Sequence, residues 1–250
     1  MDSGYYAACA GLKARTQALE MVANNLANLN TTGYRAQDAS FRSLLAGNAA
    51  NSVNPLNRAI NDFGVLSGSR VDLKAGNLES TGNALDLAIE GNGFFAVQAR
   101  GTQGRGEVYY TRNGNFRVSS AGQLITSEGD PVLGEQGPIS VPSGQVAIGA
   151  DGTLSVDGAV AGKLRLAAFA PGASLIAVGH SYYAAGESAL SAPEPGTAVR
   201  QGMLESSNVN AVAASISLIA VQRQAEMLQR ALSTFYSEFN HIAATDLPRV

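Results

Sequence analysis

Tryptophan is absent from the 250 residues, cysteine occurs once, and charged residues make up only 15% of the chain, against roughly 25% in an ordinary soluble domain. A single thiol excludes an intrachain disulfide framework and any multi-thiolate metal site. A formal charge of −3 offers no basic face to a phosphate backbone, so nucleic acid is not an expected partner. No apolar run approaches the roughly 20 residues of a membrane span, and direct membrane insertion is not expected. The N-terminus also lacks the basic-then-apolar pattern and small-residue cleavage site of a secretory signal.

Glycine is present in quantity but unevenly. Residues 82–202 hold 21 of the 28 glycines and residues 203–250 hold none. The glycine-free end carries a heptad rhythm: Leu218, Val221, Ala225, Leu228, Leu232, Phe235, Phe239 and Ile242 alternate spacings of three and four, with Ala211 and Ala214 extending the line backwards. That period predicts a helix with a coiled-coil-like seam, a rod of roughly 50 Å at 1.5 Å per residue. Asn208 or Asn210 is suited to cap its start, and Pro248 lies past its end. The N-terminal segment answers with Tyr5, Leu12, Leu19 and Leu26 at every seventh position, and Asn28, Asn30 and Gly33 mark its stop. The shared period predicts that the two ends of the chain pair with each other.

Between them the period becomes alternating. Phe94–Ala99, Val108–Arg112, Phe116–Val118, Leu124–Ser127, Val146–Ile148, Leu154–Val156 and Lys163–Phe169 read as short strands. Asn113-Gly114 and Asp151-Gly152 suit type I′ hairpin turns. The expected fold is therefore α+β, with terminal helical segments 1–35 and 204–250 forming one domain. A central antiparallel, sandwich- or barrel-like β domain is expected over 82–203. Residues 36–81 read as an extended connector, because Gly47–Asp62 is rich in Asn and Ala and has no durable period.

No constellation of reactive groups emerges. His180 and His241 fall in different expected domains, and Cys9 sits on the helical seam without an activating base. Gly101, Gly104 and Gly106 precede no Lys-Ser/Thr and no helix. Asp151-Gly152-Thr153 lacks the carboxylate ladder of a calcium loop. No catalytic, cofactor or metal site is nominated, and an enzyme is not expected.

Four stretches carry a resemblance. Ala23-Asn24-Asn25-Leu26-Ala27-Asn28 followed by Thr31-Thr32-Gly33-Tyr34-Arg35 resembles the N-terminal signature of the bacterial flagellar axial (rod and hook) family. Asp86-Leu87-Ala88-Ile89 leading to Gly91-Asn92-Gly93-Phe94-Phe95-Ala96-Val97 resembles the family's entry into its β domain. Tyr110-Thr111-Arg112-Asn113-Gly114-Asn115-Phe116 resembles its hairpin, and Glu205-Ser206-Ser207-Asn208-Val209-Asn210 its lead into the C-terminal helix. Size resembles a rod protein more than the larger hook subunit, and the Met1-Asp2 start and the run Pro131–Gly144 resemble the proximal-rod F-type more than the distal-rod G-type.

The resemblance implies a structural subunit of the basal-body rod, the periplasmic drive shaft. Its implied partners are copies of itself, other rod and hook-basal-body subunits, and the flagellar type III export apparatus that delivers it without a cleaved signal. The seam and signature positions Leu12, Leu19, Asn24, Asn25, Leu26, Asn28, Leu218, Val221, Leu228, Leu232, Phe235 and Phe239 are the expected assembly interface. The alternatives are a distal-rod G-type or other axial subunit, or a non-flagellar binding module that dimerises through its helices. An axial subunit enclosed by neighbours has less free surface to solvate, which accounts for the low charge.

Overall fold

The computed structural model describes residues 2–42, 65–99, 106–170, 173, 175–179, 181–186, 189–191 and 194–246. The Asn/Ala-rich run at 47–62 lies outside them. The chain is α+β, and two long helices, α1 (Asp2–Ala27) and α2 (Ala211–Asp246), pack along each other as the shared period predicts. Nineteen short strands lie between them among the described residues. Contacts divide the chain into two units.

The first unit comprises Met1–Ala27, Gln37–Arg70 and Asn210–Val250. Asn210 caps α2: its side-chain oxygen accepts from Ala213 N–H at 3.0 Å and its carbonyl from Ala214 N–H at 2.9 Å, satisfying donors that the first turn leaves open. β1 (Gln37–Arg42) lies against α1 and pairs with β2 (Val65–Val71).

The second unit comprises Asn28–Ala36 and Val71–Val209. Its centre is a six-stranded sheet in the order β15-β16-β6-β5-β14-β17, formed by β5 (Phe94–Ala99), β6 (Glu107–Thr111), β14 (Leu166–Phe169), β15 (Ile176–Gly179), β16 (Tyr182–Ala184) and β17 (Leu190–Ser191). Side chains alternate across a strand. Phe95 and Val97 of β5 therefore enter one core with Leu87, Phe116, Leu124 and Tyr182. Phe94 and Ala96 enter a second with Tyr110, Phe169 and Tyr183. Edge-to-face contacts at 5.1 Å join Phe94 to Phe169 and Phe95 to Phe116, the geometry that ring quadrupoles favour. Burial on both faces explains why Phe94–Val97, the first four residues of β5, are all apolar.

Smaller sheets complete the unit. β3 (Leu78–Ser80) pairs with β19 (Met203–Glu205), and β4 (Leu87–Glu90) with β18 (Ala198–Gln201). Hairpins join β7 (Phe116–Val118) to β8 (Leu124–Thr126) and β9 (Leu133–Gly134) to β10 (Gly137–Pro138). The three-stranded sheet contains β11 (Val146–Ile148), β12 (Thr153–Val156) and β13 (Ala159–Lys163).

Three sequence expectations are corrected here. The described part of 36–81, expected as a connector, carries β1, β2 and β3; Ser, Gly and charged residues in these strands mask any alternating pattern. The expected strand Lys163–Phe169 breaks at Leu164-Arg165, because Leu164 N–H donates to Gly152 O and Arg165 N–H to Leu133 O. Asp157-Gly158, with φ of 50° and 83°, forms the type I′ turn joining β12 to β13, whereas neither Asn113 nor Gly114 has positive φ and, of Asp151-Gly152, only Gly152 does.

Gly114 is required by proximity: a Cβ there would overlap the Leu87 carbonyl, which accepts no side chain at that distance. Gly114→Ala is expected to cost at least about 3 kcal/mol in urea unfolding. Gly162→Ala, whose Cβ meets Ile139 at an ordinary 3.7 Å, is expected to stay within about 1 kcal/mol.

Candidate assembly interface

The inner line of α2 is the heptad set. Leu228 is buried, and Ala214, Leu218, Val221, Ala225 and Leu232 are half-buried. Apart from Ala231, the other described positions from 211 to 234 are exposed. The matching face of α1 centres on small residues, with Ala8, Ala14 and Ala18 buried, which allows the two backbones to approach closely. Leu12, Leu19 and Leu26 flank that line half-buried. The seam found by periodicity is therefore occupied within the chain by its own second helix. Phe235 and Phe239 lie in α2, but their side chains are outside the described residues.

A second apolar line runs down the opposite side of α2. Val212, Ile216, Ile219 and Met227 are each more than half exposed. From Ala211 to Gln222 the helix has no charged residue on any face; charge begins at Arg223. Helices apolar on more than one side are normally enclosed on more than one side.

The signature asparagines have separate tasks. Asn24 is exposed. Asn25 is buried and clamps the backbone of Gln37, donating to its carbonyl at 2.8 Å and accepting from its N–H at 2.9 Å. Asn28 accepts from the Thr31 hydroxyl at 3.0 Å and its carbonyl from Thr31 N–H at 3.2 Å, forming the turn after α1. Asn208 accepts from Ala36 N–H at 2.7 Å and donates to the carbonyls of Asp72 and Lys74 at 3.1 and 2.9 Å. Asn25 and Asn208 each replace a missing strand partner, since one side chain carries both a donor and an acceptor.

In the second unit, three charged residues that sequence reasoning did not single out converge in the interior. Glu205, at the end of β19, is completely buried, as are Arg35 and Arg112. Arg35 Nη2 lies 2.6 Å from Glu205 Oε1 and Arg112 Nη1 lies 2.9 Å from Oε2. Gly76 N–H donates to Oε1 at 2.7 Å. Arg35 also donates to Lys74 O at 2.6 Å, and Arg112 to Ile89 O and Gly91 O at 2.9 and 2.6 Å. Arg112 stands over the Phe94 ring at 5.2 Å, a cation–π contact.

The cluster carries two cations and one anion. Both Nε groups are buried without a hydrogen-bond partner, and Arg35 Nη2 meets the carboxylate as a close ion pair without hydrogen-bond alignment. Burial pulls the Arg112 guanidinium down to about 10; Glu205 opposes that shift and Arg35 adds to it. Burial likewise pushes the Tyr183 hydroxyl up to about 12, and that hydroxyl accepts from Arg35 N–H at 2.8 Å.

Backbone approach accompanies the charges. Gly33, at φ 66°, donates its N–H to Glu205 O at 2.7 Å, and a Cβ there would overlap the backbone of Arg112 and Asn113. Three of the four quoted motifs thus meet at one carboxylate. The signal available in the sequence was one charged residue in each motif, two positive and one negative.

Among the described residues no group of acidic, His and Cys side chains is placed to hold a metal ion, and no helix is long and apolar enough to cross a membrane.

Three family profiles match the chain in order: "Flagella basal body rod protein" over residues 6–35, "Flagellar hook protein FlgE/F/G D1 domain" over 88–156, and "Flagellar basal body rod FlgEFG protein C-terminal" over 200–235. The flagellar basal-body rod protein FlgF of Mesorhizobium japonicum is 35% identical over 235 residues, 90% of each chain. FlgF of Escherichia coli is 34% identical over 250 residues, 94% of each chain. FlgG of Borreliella burgdorferi is 30% identical over 255 residues, 94% of this chain and 95% of that one.

Removing the shared carboxylate leaves two buried guanidiniums without a counter-charge. Glu205→Gln is expected to destabilise the chain by about 3–5 kcal/mol, measured as a lowered urea midpoint; a change below about 1 kcal/mol contradicts the assignment.

Proposed function

The chain belongs to the FlgF family of flagellar basal-body rod proteins, within the wider FlgE/F/G group, and from that premise we propose that it builds the rod through its terminal helices. It is a structural, non-enzymatic component of the rod, located in the basal body, where it assembles with other rod subunits. The proposal concerns the surface used and the route of delivery.

The observation that carries it is the second apolar line of α2. The heptad seam is already covered by α1, while Val212, Ile216, Ile219 and Met227 stand outward on a stretch that begins without charge. Fully burying an aliphatic side chain of this size is worth about 1.5–3 kcal/mol, so four on one face favour contact with an adjacent subunit by several kcal/mol before ordering costs. The partners are further copies of this chain and neighbouring rod and hook-basal-body subunits. Of the residues expected from the sequence, Leu218, Val221, Leu228 and Leu232 with Leu12, Leu19 and Leu26 hold the helix pair in shape, and Asn24 is an exposed candidate for contact. Delivery through the flagellar type III export apparatus, without a cleaved signal, is supported by the family resemblance.

Ile216→Asp places a charge on the outward line and leaves the inner seam untouched. It is expected to keep the helix content of the purified chain and to lower its recovery in isolated basal bodies at least tenfold, with matching loss of swarming. Wild-type recovery would remove the outward line from the interface.

A further inference from the structure

The edges of the three-stranded sheet differ. At β11 the edge is filled by a side chain: Gln201 accepts from Ile148 N–H at 3.2 Å and donates to Val146 O at 3.1 Å. At β13 it is open. The last residue of β13 and the chain just past it are paired, since Glu135 N–H donates to Lys163 O at 3.0 Å and Arg165 N–H to Leu133 O at 3.0 Å. β9 then turns away into its hairpin. Among the described residues no strand continues that line beside Ala159–Gly162.

The ladder fixes which groups face outward. Asp157-Gly158 is a two-residue turn with Val156 opposite Ala159, which makes that pair the hydrogen-bonded one. Ser155 and Val160 then form the non-bonded pair, so the Val160 N–H and C=O point away from β12. The Val160 side chain is itself 74% exposed, an apolar residue on an edge whose one charge, Lys163, lies at its far end and whose register shifts opposite Leu154-Ser155.

A groove of about 550 Å³ runs between β13 and the β9–β10 hairpin, lined in part by Gly134, Gly137, Ile139 and Gly162. Its charged groups, Lys163 and Glu135, pair with each other at 3.2 Å and are both well exposed. Small-ligand sites depend on convergent polar anchors in an enclosed pocket, and this groove offers instead main-chain groups that no strand among the described residues pairs, beside an apolar side chain. Strand addition uses such groups for affinity.

We propose that this groove receives an uncharged extended segment of a neighbouring rod subunit, added to β13 in line with β9. The partner is a rod subunit because the family assembles with such subunits; the segment is uncharged because Lys163 and Glu135 neutralise each other. The inference rests on the rod reading but concerns a surface separate from α2.

The test replaces the gene for the full-length chain in motile cells and counts the protein in isolated basal bodies. Val160→Pro removes the outward N–H, and Val160→Thr keeps it. The expected result is an unchanged urea midpoint for both, at least tenfold lower incorporation for Val160→Pro, and incorporation within twofold of wild type for Val160→Thr. Normal incorporation of a folded Val160→Pro overturns the proposal. Should proline lower the midpoint, Val160→Lys decides, because it retains the N–H and adds a charge: a tenfold loss supports strand addition, and wild-type incorporation overturns it. Absence of the wild-type chain from basal bodies would refute the rod reading itself, whereas its presence alongside normally incorporated variants refutes only the groove.

Discussion

The carboxylate of Glu205 is the point on which the second unit depends. It neutralises part of the charge on Arg35 and Arg112 where no water is available to do so, and it is reached from chain segments far apart in sequence. A buried ion pair is weak evidence for stability in itself, since desolvation offsets much of the attraction. Its consequence is specificity. Arg35 without Glu205, or Arg112 without Glu205, is an unpaired buried cation, so the segment after α1, the β6 end and the segment before α2 are stable together or not at all.

Amide side chains extend the same economy. Asn25, Asn208 and Gln201 each pair with backbone groups that a strand would otherwise serve. Glycine permits the close approaches these pairings need: Gly33 against Arg112-Asn113, and Gly76 against Ser206. Chain segments are therefore joined largely by neutral hydrogen bonds and one internal charge cluster, which agrees with the low charged content of the sequence.

Much of the architecture was legible because it follows from period. The heptad line of α2 identified which side is covered, and Phe94–Ala99 and Phe116–Val118 are strands as expected. The shared period also pointed to the covering element, α1 of the same chain. It missed the outward line, because Ser215 and Ser217 interrupt Val212, Ile216 and Ile219 in the text. β13 was invisible since Ala, Gly and Lys flank a single Val. The charge cluster was hidden for a different reason: a lone Arg or Glu is nearly always solvated, and only three-dimensional convergence shows otherwise. Asn25 and Asn208 were noticed as motif residues, but their partners at Gln37 and Ala36 could not be read from spacing.

The central claim is that one carboxylate holds the segment after α1, the end of β6 and the segment before α2 together within the second unit. Amide hydrogen exchange on the full-length chain and its Glu205→Gln variant, under conditions where both remain folded, tests it most directly. The account predicts that the amides of Gly33, Arg35, Gly76 and Ser206 lose protection together, while those of β5 and β14 keep theirs. Loss confined to Gly76, with Gly33 and Arg35 still protected, would contradict it.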